Sequence, residues 1–347
     1  MTRRDILKTA GSATAAFTME RAFGQAMPLK NLGVAPAGLP VRSRAGRGGT
    51  IKFDYVEHCR NLGVGVVEVR TVAPEEAQSF RKKMEQYHMR AIGNVPLPRD
   101  EAGLPAFDAA IKAAKEAGII GNRAAMTGRR YEDFDSFEAF KANFDRCRHI
   151  VQISEPILRK HQMPLWLENH KGWRSAEQAA WLRKLGSEWV GVHFDFGNNV
   201  SLCEDPMETL KNLLPFTHAC HIKDMAVQPY EEGFLLSEVP LGEGFLDIKG
   251  MTAILQRKNP NIPLDLEMIT RDPLKIPIYT KKYWATFDDT YSPLPGRDVA
   301  RIMEIVQKNS AKTLPKTGGL APEAALKLED ECINKSIAWA KANLNVA

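Results

Sequence analysis

The chain has 347 residues, of which 44% are hydrophobic and 26% are charged. These values are typical of a globular protein and exclude a disordered or fibrous class. The formal net charge is +5, and residues 1–26 contribute four basic and two acidic side chains to it. The remaining chain is therefore close to neutral, which predicts no nucleic-acid partner. The five cysteines form no Cys-x-x-Cys pair, and their odd number predicts no disulfide framework.

The segment Arg3-Arg4-Asp5-Ile6-Leu7-Lys8 resembles a twin-arginine export signal. The stretch behind it is too short and too polar to span a membrane. We therefore expect residues 1–26 to be a signal peptide that the twin-arginine export machinery recognises. The mature protein is then expected in the periplasm or otherwise exported, without a membrane span. A disordered basic tail is the alternative interpretation.

Strands and helices alternate along the remaining chain. Apolar, β-branched runs predict strands near residues 32, 66, 93, 122, 166, 192, 220 and 265. A loop that holds Arg42, Arg44 and Arg47 is expected after the first strand, and a loop insertion is expected over residues 228–247. Helices are predicted between the strands, the longest over residues 137–161.

Eight strands that alternate with helices predict the α/β class and a closed parallel (β/α)8 barrel, or TIM barrel, over residues 27–270. It is expected to be a single domain. Residues 271–347 are expected to form a C-terminal extension packed on the barrel, with a loop followed by helices over residues 298–308 and 322–344.

Four of the predicted strands end in a side chain that binds metals. Glu168, Asp195, His221 and Glu267 follow one another at intervals of 27, 26 and 46 residues. The first two intervals match a strand, a helix and two loops, so each residue would stand at the end of a parallel strand. Such ends meet at one face of a barrel. Three carboxylates and one imidazole favour a hard divalent ion such as Mn²⁺ or Mg²⁺.

This combination of groups predicts proton transfer next to a carbonyl group. A divalent ion polarises a carbonyl or hydroxyl oxygen of the substrate. Glu168 and Glu267 come from strands with two others between them, so they are expected on opposite sides of the barrel mouth. One would remove a proton and the other would return it, with an enediolate between the two steps. That chemistry suits isomerisation or epimerisation of a carbohydrate.

The motifs resemble those of the sugar phosphate isomerase/epimerase family, which has a xylose isomerase-like TIM barrel. The resemblance covers residues 29–270 and is carried by Leu167-Glu168-Asn169-His170, Asp195-Phe196-Gly197-Asn198, His221-Ile222-Lys223-Asp224, Gly242-Glu243-Gly244 with Asp247, and Leu266-Glu267. It implies that Glu168, Asp195, His221 and Glu267 bind one divalent ion. It also implies that the two glutamates act as acid and base.

One departure from the family leaves the substrate open. Ketose 3-epimerases of this superfamily carry a histidine shortly after the metal-binding aspartate. Here that stretch reads Phe196, Gly197, Asn198 and Asn199.

Further residues are candidates for substrate binding. His170 and Lys223 each follow a metal-ligand candidate by two residues, which returns to the same strand face. A loop histidine, and a salt bridge from Lys223 to Asp224 or Asp247, are the alternatives. Asn198 and Arg271 complete the predicted substrate-binding set.

Other side chains are expected to have structural roles or to lie at an interface. Trp166 is expected to pack against a helix and His193 to be structural. Tyr279 and Trp284, with Arg271 and Lys281, are expected to form a lid, a contact in a homo-oligomer, or ordinary surface packing.

The sequence thus predicts an exported, metal-dependent sugar isomerase or epimerase with a small carbohydrate substrate. A metal-dependent lyase, dehydratase or hydrolase acting on keto-sugars or glycosides is the first alternative. A phosphodiesterase would need a histidine-rich metal cluster and a basic face, which the nearly neutral chain lacks. A non-catalytic periplasmic sugar-binding barrel is the last alternative.

Overall fold

The computed structural model describes residues 27–346, so the predicted export signal lies outside the described residues. This part of the chain contains eleven strands: β1 (Leu29–Val34), β2 (Val64–Arg70), β3 (Arg90–Asn94), β4 (Asn122–Ala124), β5 (Leu165–Glu168), β6 (Val190–Asp195), β7 (Thr217–Ile222), β8 (Asp224–Tyr230), β9 (Gly233–Val239), β10 (Leu264–Leu266) and β11 (Leu274–Ile276). Their runs of valine, isoleucine and leucine are typical of strands that are buried on both faces.

Eight of these strands close into a parallel barrel in the order β1-β10-β7-β6-β5-β4-β3-β2. Each pairs in parallel with its neighbours, and β10 closes the ring against β1 with Leu32 opposite Leu264. All eight predicted barrel strands are present, and the predicted (β/α)8 fold is confirmed.

The α-helices of the described chain are α1 (Pro40–Arg47), α2 (Tyr55–Asn61), α3 (Ala77–Tyr87), α4 (Leu104–Glu116), α5 (Arg130–Asp133), α6 (Phe137–His161), α7 (Ser175–Leu185), α8 (Pro206–Leu213), α9 (Ile248–Lys258), α10 (Lys281–Trp284), α11 (Gly296–Lys308) and α12 (Pro322–Asn343). The main core lies between these helices and the barrel. Among residues 27–346 no helix is both long and apolar enough to cross a membrane.

The inside of the barrel has an apolar layer below a polar one. Val66, Ile92, Trp166 and Ala219 form a separate apolar cluster. Because side chains alternate along a strand, residues two positions further on point to the same interior. On β2, β5 and β7 those positions hold Glu68, Glu168 and His221. The expectation that Trp166 packs against a helix is wrong, because Trp166 shares the inward face of β5 with Glu168.

Two segments that were expected to be loops are regular structure. The arginine-rich segment after β1 forms α1. Strands β8 and β9 form an antiparallel hairpin that begins before the expected insertion and takes up its first half, and β11 of the extension pairs with β9. The hairpin and β11 form a second, three-stranded sheet.

The end of the chain packs against its beginning. The carboxylate of Glu329 on α12 accepts hydrogen bonds from the backbone N–H groups of Val41 (2.6 Å) and Arg42 (2.9 Å) in the first turn of α1. The guanidinium of Arg42 donates to both oxygens of Asp330 at 2.6 Å. The extension therefore satisfies backbone donors that the first helical turn leaves unpaired.

Candidate metal centre

The four predicted ligands meet inside the carboxyl end of the barrel. Glu168 and Asp195 are the last residues of β5 and β6, His221 is the penultimate residue of β7, and Glu267 directly follows β10. One ligand atom from each lies within 4.8 Å of those of the other three. All four side chains are buried, with at most 5% of each residue exposed. The sequence prediction that these residues converge is thus reproduced by the structure.

The backbone holds Asp195 in a fixed orientation. One carboxylate oxygen of Asp195 accepts hydrogen bonds from the N–H groups of Gly197 (3.0 Å) and Asn198 (2.9 Å). The amide side chain of Asn169 pairs with the backbone N–H and C=O of Asp195 at 2.6 and 2.8 Å. The second carboxylate oxygen, Oδ2, lies 4.0 Å from Nδ1 of His221 and 2.7 Å from Nζ of Lys223.

His221 is oriented by a carboxylate that the sequence analysis did not assign to the site. Its Nε2–H donates to Glu68 at 2.9 Å, so Nδ1 faces the other ligands. Nδ1 lies 3.4 Å from Glu267 Oε1 and 3.9 Å from Glu168 Oε1. A histidine that donates its second nitrogen to a carboxylate is typical of metal sites, because the carboxylate fixes the tautomer and ring orientation.

Arg123 is a second residue that the sequence analysis missed. Its guanidinium pairs with Glu68 at 3.3 Å and with Glu168. Arg123 therefore joins the carboxylate behind His221 to a predicted metal ligand. The sequence predicts only that Arg123 lies on the short strand β4. Its inward orientation depends on the barrel register, which pairs Arg123 with Trp166.

The imidazole of His193 lies beside that of His221, with ring centroids 4.2 Å apart. Neither ring nitrogen of His193 has a hydrogen-bond partner within residues 27–346. Burial, and then the charge of His221, hold the pKa of His193 well below its usual range. His193 is therefore a neutral inward-facing residue. With Glu68 and His221 it forms a second group whose ligand atoms lie within 4.8 Å of one another.

Lys223 lies against two of the predicted ligands. Its Nζ is 2.7 Å from Asp195 Oδ2 and 2.6 Å from Glu267 Oε2. The alternative salt bridges from Lys223 to Asp224 or Asp247 are not formed. Asp224 instead accepts hydrogen bonds from backbone N–H groups of residues 242–246, and Asp247 caps α9. Lys223 belongs to the centre, and its role in substrate binding stays a prediction.

The electrostatics keep two glutamates ionised. Burial alone would raise the pKa of Glu168, but Arg123 and His221 hold it well below its usual range. Burial opposes ionisation of Glu267 as well, and the charges of Lys223 and His221 lower its pKa. Burial raises the pKa of Asp195 to about 6 against the opposing effect of Lys223. Glu168 and Glu267 are therefore held in the ionised form, whereas Asp195 is the carboxylate of the centre whose pKa is raised.

Two other predicted substrate-binding residues lie at the rim of the centre. The Nδ1–H of His170 donates to the carbonyl of Thr127 at 3.0 Å, which leaves Nε2 as the basic nitrogen. The amide of Asn198 donates to Glu168 at 3.0 Å. Their predicted roles remain compatible with these contacts but are untested.

Arg271 is engaged outside the centre. Its guanidinium binds the buried carboxylate of Glu238 through Nε at 3.1 Å and through Nη2. A bidentate pair of this kind is geometrically specific. Substrate binding by Arg271 thus stays a prediction that this contact does not test.

The residues present fit one divalent cation. Three buried carboxylates and one imidazole nitrogen form the donor set, and oxygen-rich sets of this kind suit Mg²⁺ or Mn²⁺. The neighbouring carboxylates of Glu267, Glu168 and Glu68 outweigh the effect of burial and raise the pKa of His221. A bound cation would replace the proton that those carboxylates favour.

A family model described as a xylose isomerase-like TIM barrel matches residues 50–285. The match spans more than half of the chain, so the protein belongs to that family. No curated protein matches the sequence significantly.

Three solved structures with the same fold include sugar epimerases. D-psicose 3-epimerase in the presence of D-fructose is 14% identical with a TM-score of 0.58, and the match covers 91% of this chain and 99% of that one. The 3-keto-D-glucoside 4-epimerase of E. coli is 12% identical with a TM-score of 0.51, covering 79% and 99%. A xylose isomerase-like TIM barrel protein from Mycobacterium smegmatis in complex with magnesium is 13% identical with a TM-score of 0.50, covering 81% and 98%. At these identities the similarity shows the fold.

Proposed function

We propose that this protein is a divalent-metal-dependent sugar isomerase or epimerase that transfers a proton through an enediolate. The observation that carries the proposal is the convergence of Glu168 and Glu267 on one buried centre from strands β5 and β10. In the barrel order β7 and β6 lie between those strands, so the two carboxylates approach from different sides. Two ionised carboxylates on different sides of a substrate suit removal of a proton and its return to another face or carbon.

The residues have separable tasks in this reaction. One glutamate takes a proton from the carbon next to the carbonyl group, and the electrons of that C–H bond become the enediolate. In an isomerase the glutamate that took the proton returns it to the adjacent carbon. In an epimerase the other glutamate, which has taken a proton from solvent, donates it to the opposite face, and the first glutamate releases its proton to solvent. Asp195 and His221 would hold Mn²⁺ or Mg²⁺ together with the glutamates. The ion would supply Lewis acidity toward the substrate oxygens.

A free sugar or a keto-sugar is the proposed substrate. The solved epimerases with this fold include proteins named for D-psicose and for a 3-keto-D-glucoside. The paired arginines Arg3 and Arg4 resemble those of a twin-arginine export signal, and we propose that the enzyme acts after export. Fusing residues 1–26 to a reporter protein tests this, because replacing Arg3 and Arg4 by lysine is expected to stop its export.

Deuterium exchange tests the proposed reaction. The Mn²⁺-loaded protein is incubated in D₂O with D-fructose, D-psicose and a methyl 3-keto-D-glucoside, and deuterium in the sugar is read by mass spectrometry. We expect incorporation into at least one sugar. Glu168→Gln and Glu267→Gln are each expected to slow it by about a hundredfold or more, since general acid–base groups contribute about that much. Full exchange in both variants contradicts the assigned roles.

Metal content and the fate of the sugar separate the proposed enzyme from the alternative functions. Asp195→Asn and His221→Ala are expected to lose metal as well as exchange, and metal content after dialysis measures this. Glu57→Gln is the matched control, since Glu57 lies on α2 and bonds Tyr87 at the surface. A protein that binds the sugars without any exchange would be a sugar-binding barrel. Loss of water or of an aglycone would identify the lyase or hydrolase alternative.

A further inference from the structure

A buried lysine near the metal centre has no carboxylate partner. Lys171, three residues after Glu168, is 4% exposed. Its Nζ donates to the amide oxygen of Asn198, and within residues 27–346 it forms no ion pair. Lys223 donates to the same amide oxygen at 3.2 Å, yet it also pairs with two carboxylates. A buried charge without a counter-charge costs several kcal/mol, so such a residue points to a ligand that supplies the charge.

The backbone around Lys171 is held on both sides. The carbonyl of Lys171 accepts a hydrogen bond from the N–H of Arg130 at 3.1 Å. At the next residue, Gly172, a Cβ atom would lie 1.5 Å from Thr127 Oγ1, so the two loops approach as closely as a glycine permits. Lys171 therefore extends from a fixed backbone position, as pre-organised functional groups do.

Asn198 connects Lys171 to the proton-transfer groups. The amide nitrogen of Asn198 donates to Glu168 Oε1 at 3.0 Å, while its oxygen accepts from Lys171. One amide group thus separates the ammonium group from the carboxylate that is proposed to move the proton. Burial, and then the charge of Lys223, lower the pKa of Lys171 to about 8. The carboxylates of Asp195 and Glu238 oppose this shift, but neither forms an ion pair with Lys171 among the described residues.

We propose that Lys171 is a catalytic residue whose ammonium group binds the substrate oxygen that becomes negatively charged during proton transfer. This inference rests on the proposed function. The proton leaves the substrate carbon for Glu168 or Glu267, and the negative charge appears on the enediolate oxygen. Lys171 keeps its own proton and donates a hydrogen bond to that oxygen. This hydrogen bond strengthens as negative charge develops on the oxygen. It therefore lowers the activation free energy of proton transfer.

Equilibrium binding of two matched probes tests this assignment without turnover. Glycolate and glycolamide have nearly the same shape and differ by one negative charge. Each is titrated by calorimetry into the Mn²⁺-loaded full chain. We expect the wild type to prefer glycolate. We expect Lys171→Met and Lys171→Gln to weaken glycolate binding by about tenfold or more, as for loss of a hydrogen bond between charged groups. Glycolamide affinity should change by less than about threefold.

The control is Lys115→Met, which removes an exposed lysine whose Nζ bonds a backbone carbonyl. It should leave both affinities unchanged, and all variants should retain metal. The proposal is overturned if the wild type does not prefer glycolate, or if the two Lys171 variants weaken both probes equally or neither. If no sugar exchanges deuterium while the glycolate preference still depends on Lys171, the proposed reaction fails, and Lys171 binds a negatively charged oxygen without the catalytic role proposed here.

Discussion

At the scale of single residues, the centre is a layer of charged groups rather than four isolated metal-ligand candidates. Glu68 accepts a hydrogen bond from His221, and Arg123 bridges Glu68 to Glu168. The sequence patterns identified the residues at strand ends, because motif and spacing coincide there. They did not identify Glu68 or Arg123, whose contacts depend on strand register. Trp166 was misassigned for the same reason.

Replacing Glu68 by glutamine tests the support of the histidine. We expect Glu68→Gln to weaken Mn²⁺ binding by about tenfold or more, because partners that orient a metal-binding histidine contribute that much. The neutral amide also leaves Arg123 with one charged partner fewer. Calorimetric titration of Mn²⁺ measures the change, with the surface variant Glu57→Gln as the matched control. Unchanged Mn²⁺ affinity in Glu68→Gln would mean that His221 needs no such support.

At the scale of elements, the barrel strands were predictable and the hairpin was not. Each barrel strand is a buried apolar run, which is a strong local signal. Glu231 and Glu232 join β8 to β9. A Glu-Glu pair is not one of the sequences that favour a two-residue hairpin turn. Pro229 within β8 and the glycines that follow β9 also favoured a loop. Pairing of the hairpin with β11 supplies the contact that these local signals lack.

Gly233 at the start of β9 gives a test of that contact. Its φ is +153°, and a Cβ atom there would lie 2.2 Å from the carbonyl oxygen of Ile276 on β11. Gly233→Ala should therefore destabilise the protein by about 2 kcal/mol or more, as strained backbone and a forced displacement do. It should also increase hydrogen exchange in β11. Urea unfolding and exchange mass spectrometry measure both effects.

The matched control is Gly296→Ala at the start of α11. There a Cβ atom would meet no heavy atom within 4 Å, and φ lies outside the left-handed region. We expect no loss of stability, and alanine favours a helix over glycine by up to about 1 kcal/mol. Equal destabilisation by the two variants would contradict a specific role of the β9–β11 contact.

At the scale of the whole molecule, the closed barrel brings together the predicted metal ligands from four strands. The order of strands and the chemistry of their ends were sufficient to predict this convergence. The sequence did not predict how the extension packs, because Glu329 and Asp330 on α12 look like ordinary acids on a helix surface. Only the three-dimensional structure puts them at the first turn of α1, nearly 290 residues earlier in the chain.

The buried carboxylate of Glu329 should make this packing depend on pH. Burial raises its pKa to about 6, although the N–H groups of Arg42 and Val41 oppose the shift. In the unfolded chain the pKa of a glutamate side chain is about 4.3. Between these two values the folded state holds the additional proton, so the Glu329 contribution favours folding at low pH and weakens as pH rises through 6.

Glu329→Gln does not titrate. We expect the free energy of unfolding of Glu329→Gln, relative to that of the wild type, to increase between pH 5 and pH 7 in urea titrations. The matched variant of the exposed neighbour, Glu331→Gln, should show no such increase. A difference between Glu329→Gln and wild type that stays constant over this range would mean that the Glu329 carboxylate has no raised pKa in the folded protein.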